Sequence, residues 1–92
     1  MKVSKEIKSL RKRINKLLTF SVDYLMIGVE YSDGVWSVTP CYEISGDGYP
    51  HYIDDPLTIA ALVIQGQGKT LPKAIRKLDF LVTKLEKNKI KL

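Results

Sequence analysis

Residues 22–44, VDYLMIGVEYSDGVWSVTPCYEI, decide the fold, because turn chemistry and binary pattern in this stretch specify the same hairpin. Asp33-Gly34 favours a two-residue type I′ turn, since both central positions must accept positive φ. That turn sets the register of strands Val22–Tyr31 and Val35–Ile44: Ser32 opposes Val35, Tyr31 opposes Trp36, Val29 opposes Val38, Ile27 opposes Pro40 and Leu25 opposes Tyr42. Side chains alternate along a strand, so the last four pairs share one face, and nearly all are apolar. The other face receives Glu30/Ser37, Gly28/Thr39, Met26/Cys41 and Tyr24/Glu43. Pro40 has no N–H to give a ladder, which predicts that the second strand is an edge or is bulged there.

Amphipathic helices flank this hairpin. Val3, Ile7, Leu10, Ile14 and Leu17 repeat with spacings of four and three, and Lys and Arg fill the remaining faces. The pattern predicts a helix that covers a sheet; a coiled-coil seam would need more heptads. At the other end, Thr70 is suited to an N-cap and Pro72 to the first turn, and Leu71, Ile75, Leu78, Val82 and Leu85 form a buried stripe. Between hairpin and second helix, residues 45–55 form a loop dense in Gly, Pro and Asp. Residues 56–65 have helix punctuation in Asp55-Pro56 and Gly66, yet Thr58–Gln65 is short and β-branched, which predicts a buried third strand.

The charge follows the same divisions. Residues 1–20 carry seven Lys or Arg and one acid, residues 21–68 carry seven acids and no base, and residues 69–92 carry eight bases and two acids. The net charge of +5 therefore conceals three opposed blocks. Such segregation creates single-sign surfaces that attract partners of the opposite sign. Ninety-two residues with 45% hydrophobic content suit one domain, 1–92, with a single core. No apolar run reaches the ~20 residues of a membrane helix, so no membrane partner is expected. The start lacks a secretory signal pattern and the lone Cys41 suits a reducing compartment, so a cytoplasmic location is expected.

Motifs for catalysis are sparse. Gly66-Gln-Gly-Lys-Thr70 looks like the end of a phosphate loop, but Val63 stands where that loop needs its first glycine. The remaining reading is a strand-to-helix turn that uses glycine's backbone freedom, with Lys69 and Lys73 near a helix N-terminus. Cys41 and His51 are the single Cys and His, and Cys41 lies in an acidic segment unsuited to a thiolate nucleophile. Asp47, His51, Asp54 and Asp55 match no calcium or zinc spacing. No enzymatic activity, metal or cofactor is expected. Tyr49 and Tyr52, on the loop among acids, are suited to anchoring a protein interface, whereas Trp36 and Tyr42 suit the core.

Two family resemblances bear on these expectations. Asp33-Gly-Val-Trp-Ser-Val-Thr-Pro40, followed by Gly68-Lys-Thr-Leu-Pro-Lys-Ala74, resembles the HicB-like antitoxin domain. The resemblance implies a β-β-β-α unit that neutralises a small basic RNA-cleaving toxin. The helix–three strands–helix layout, with Gly66-Gln-Gly68 before the last helix, is also similar to a double-stranded-RNA-binding domain. That likeness implies phosphate contacts by Lys69, Lys73, Arg76 and Lys77, although Leu71-Pro72 stand where that family has Lys-Lys.

The expected fold is α+β: a three-stranded antiparallel sheet with a basic N-terminal and a basic C-terminal helix packed on one face. The expected function is an inhibitor or regulator, of the antitoxin or phage-inhibitor type, that engages a basic nucleic-acid-processing protein. Glu43, Asp47, Tyr49, Tyr52, Asp54 and Asp55 are its expected contact residues. Two alternatives are nucleic-acid binding through Lys69, Lys73, Arg76 and Lys77, and self-assembly, in a homodimer or larger array, of acidic sheet against basic helices.

Overall fold

The computed structural model describes residues 3–44, 46–58 and 62–92. Its elements, in chain order, are α1 (Val3–Leu17), β1 (Tyr24–Ser32), β2 (Val35–Glu43), β3 (His51–Tyr52), β4 (Gly66–Gly68) and α2 (Leu71–Lys87). The architecture is α+β, with an antiparallel sheet and both helices on one of its faces.

The hairpin has the register that its turn dictates, from Ser32↔Val35 to Tyr24↔Glu43. Asp33 and Gly34 take φ of 51° and 78°, the left-handed pair of a type I′ turn. The strand β2 is central, not an edge: β1 pairs along one side, and β3 and β4 share the other. Pro40 fits there because of the hairpin's hydrogen-bond alternation. Its pair with Ile27 is of the non-hydrogen-bonded kind, so its nitrogen turns away from β1. On that far side it meets the gap between β4, opposite Trp36–Val38, and β3, opposite Cys41 and Tyr42. No ladder bond is lost.

The side of β2 opposite β1 is taken by His51–Tyr52 and Gly66–Gly68, which lie before and after residues 58–65. Of those, 59–61 lie outside the described residues. Pro56 and Leu57 form a turn, and Val63 makes an isolated bridge to Asp54. The backbone N–H of Asp55 donates to Leu62 O, and that of Ile64 to Ile53 O, each at 2.7 Å. Gly66–Gly68 then pairs with β2. Only glycine suits this position, because α2 packs directly on the strand backbone. A Cβ on Gly66 would lie 2.6 Å from Leu78 N, and one on Gly68 would lie 2.8 Å from Ala74 N. Neither has positive φ, so both are required for close approach and not for turn freedom.

Leu10, Ile14 and Leu17 of α1 meet Leu25, Val38, Ile53 and Ile64 and the α2 stripe in one core. The heptad-like seam of α1 is therefore buried within its own chain. Thr70 caps α2 by accepting a hydrogen bond from Lys73 N at 3.3 Å, and a proline stands in the first turn. The helix closes in a Schellman motif: Ile90 N donates to Leu85 O and Lys89 N to Glu86 O, with Lys89 at φ 53°. Beyond it, Leu92 N donates to Leu17 O at 2.7 Å and ties the segment after α2 to the C-terminal end of α1.

Candidate functional site

The two helices are locked by one residue. Arg13 donates from Nη1 to Asp79 Oδ1 at 2.6 Å, from Nη2 to Glu86 Oε1 at 2.7 Å and Thr83 Oγ1 at 3.0 Å, and from Nε to Glu86 Oε2 at 3.2 Å. These bonds, to Glu86 first and then to Asp79, raise the guanidinium pKa against the opposing effect of burial. The hydrogen bond from Arg13 holds the Glu86 carboxyl below its usual range. Both acids of the C-terminal block are thus engaged by one N-terminal base. Among the described residues no other Lys or Arg lies within 4.0 Å of a carboxylate. Of the other described cations on the two helices, all are exposed except the half-buried Arg11, whose Nη1 donates to Tyr24 Oη at 3.5 Å.

On the opposite side of the sheet lies a groove of about 500 Å³. Its floor and walls include Glu30, Ser37, Thr39, Gln65, Gln67 and Tyr52. Strand alternation explains this set: Glu30, Ser37 and Thr39 are the outward residues of the hairpin, and β4 adds Gln67 beside Ser37. Thr39 Oγ1 and Gln65 Oε1 are 3.4 Å apart, as are Gln67 Nε2 and Ser37 Oγ. A second hollow of about 120 Å³ lies where Tyr52 adjoins Gly28, Thr39 and Cys41. Cys41 is buried, and desolvation, followed by the nearby charge of Glu43, raises its thiol pKa. A thiol so placed is a poor nucleophile.

The six expected contact residues divide into two groups. Glu43, Tyr52 and Asp54 share the helix-free face, since Tyr52 pairs with the outward-facing Cys41 and Asp54 bridges Val63 on the groove wall. Asp47 and Asp55 instead build the loop. Asp47 Oδ1 accepts Tyr49 N at 3.1 Å, and Oδ2 accepts from His51 Nε2 at 2.5 Å. The His51 bond, with the Tyr49 N–H behind it, lowers the Asp47 pKa. His51 also stacks on Tyr42, whose ring meets Phe20 at 5.2 Å. Asp55 Oδ1 accepts Leu57 N at 2.8 Å. Tyr49, fixed by this scaffold, is 71% exposed, and Tyr52 is 52% exposed.

Lys69, Lys73, Arg76 and Lys77 lie exposed at the start and along the outer surface of α2. The glycines before them offer no phosphate cradle, because α2 itself fills the space a Cβ would take. Among the described residues no three His, Cys, Asp or Glu side chains converge as metal ligands, and no helix is long and apolar enough to cross a membrane. Sequence reasoning passed over Gln65 and Gln67, which a buried strand and a glycine turn concealed. It also passed over Phe80, whose 65% exposure among cations is a departure from apolar patterning. Comparison of the chain with protein-family models, with curated proteins and with solved structures gives no match.

Proposed function

We propose that this chain is a non-enzymatic binding protein that holds a basic, nucleic-acid-processing protein and inhibits or regulates it. The observation that carries this reading is the absence of any Lys or Arg from residues 17–68, the stretch that supplies the helix-free face and the loop beside it. Glu30 and Asp33 line the groove on that face together with Tyr52, and the hydroxyl and amide groups of Ser37, Thr39, Gln65 and Gln67 line it between them. A partner's guanidinium or ammonium group finds a carboxylate there together with neutral acceptors, and Tyr52 and Tyr49 supply rigid contact area. The resemblance of the Asp33–Pro40 and Gly68–Ala74 segments to the HicB-like antitoxin domain points to the same class of target.

Affinity capture from a nuclease-treated lysate tests it. The wild-type chain is expected to retain a discrete basic protein that Tyr52→Ala and Glu30→Lys release. Lys73→Gln with Lys77→Gln should leave capture unchanged. Retention only in untreated lysate, or loss through the helix variants alone, would refute the reading.

A further inference from the structure

Phe80 stands in water in the middle of a basic helix face. The flank of α2 that carries Asp79, Thr83 and Glu86 meets Arg13, so both carboxylates of the helix turn towards α1. Ile75, Leu78, Val82 and Leu85 face the sheet. Opposite that buried stripe, helical geometry leaves an arc roughly 100° wide that holds Lys73, Arg76, Lys77, Lys84 and Lys87, with Phe80 near its centre. Among the described residues none of these five cations lies within 4.0 Å of a carboxylate. Lys84 Nζ instead sits 4.9 Å from the centroid of the Phe80 ring.

The geometry points to a single-stranded nucleic acid as the ligand of this face, with Phe80 as the platform for one base and the flanking cations on the phosphates. An exposed phenyl ring among cations is the combination that sequence-tolerant strand binding requires, since every base offers a π-face and every nucleotide a charge. The cations alone would suit any nucleic acid; the ring selects unpaired bases, because those of a duplex are stacked on one another. The stripe from Lys73 to Lys87 extends about 21 Å along the helix, room for several nucleotides. A membrane surface is a poorer match: insertion needs an apolar strip, and here one ring is surrounded by charge. This face is opposite the groove, so the assignment stands apart from the protein-binding reading.

Fluorescence anisotropy with labelled oligo-uridine and oligo-thymidine of about 12 nucleotides, compared with a duplex of equal length, tests the assignment. The single strands are expected to bind more tightly than the duplex. Phe80→Ala should weaken them about tenfold and leave duplex affinity unchanged, while Phe80→Trp should restore binding. Each of Lys73→Gln, Arg76→Gln, Lys77→Gln and Lys84→Gln should reduce the log–log salt slope by about 0.7. Because Phe80 is exposed, its Tm should not move on truncation, which separates lost stacking from lost folding. Four results would overturn the assignment. They are absence of oligonucleotide binding at low salt, duplex affinity equal to single-strand affinity, tighter adsorption to phosphatidylserine vesicles than to oligonucleotides, and an effect of Phe80→Ala confined to self-association in sedimentation.

Discussion

Gly66 of β4 lies so close to Leu78 of α2 that a Cβ at Gly66 would sit 2.6 Å from the Leu78 backbone nitrogen. Backbone cannot yield as a flexible side chain can, so either the helix lifts from the sheet or the strand leaves β2. Gly66→Ala is therefore expected to destabilise the fold by about 3 kcal/mol. Urea denaturation measures it, and a loss under about 1 kcal/mol would show that the layer spacing is adjustable.

Replacement of Arg13 by Met should cost about 1–2 kcal/mol, since it keeps the apolar stem and removes a multidentate clamp at the partly exposed helix interface. The effect should depend on pH in a defined direction. The Glu86 carboxyl is held below its usual range when folded, so its contribution is present above the unfolded Glu pKa and is lost as pH falls through the folded one. The stability gap between wild type and Arg13→Met should narrow in acid and stay constant from neutral pH upward below Lys titration.

Lys89 holds the left-handed position of the Schellman motif that ends α2, with φ 53°. Glycine adopts this conformation without the Cβ clash. Lys89→Gly should stabilise the protein by about 0.5–1 kcal/mol despite the added freedom of the unfolded chain. A lower urea midpoint in the variant would contradict this.

Tyr52 pairs with Cys41 on the helix-free face, and Cys41 is buried. The native thiol should react slowly with an aromatic disulfide reagent at neutral pH, both because it is covered and because its pKa is raised. Tyr52→Ala should accelerate the reaction several-fold without unfolding the chain. A basic protein bound over the groove should slow it further, which makes Cys41 a reporter of occupancy on this face.

The hairpin was legible in the sequence because its information is local. Asp33-Gly34 dictates the turn, the turn dictates the register, and the register separates Leu25, Val38 and Tyr42 from Glu30, Ser37 and Thr39. The amphipathic helices were equally legible, since a period near 3.6 fixes which residues face a core. Tertiary structure alone decided what shares the far side of β2. The β-branched run before Gly66 has the composition of a strand, but α2 sits so close to that position that only Gly66-Gln67-Gly68 can pass beneath it. It also decided which charges remain available. Asp79 and Glu86 lie in a basic block of sequence, and they pair with Arg13, far away in the chain, so that among the described residues the lysines around Phe80 have no carboxylate within 4.0 Å. Local periodicity assigns a residue to a face of its own element; which element lies against that face depends on packing between residues distant in sequence.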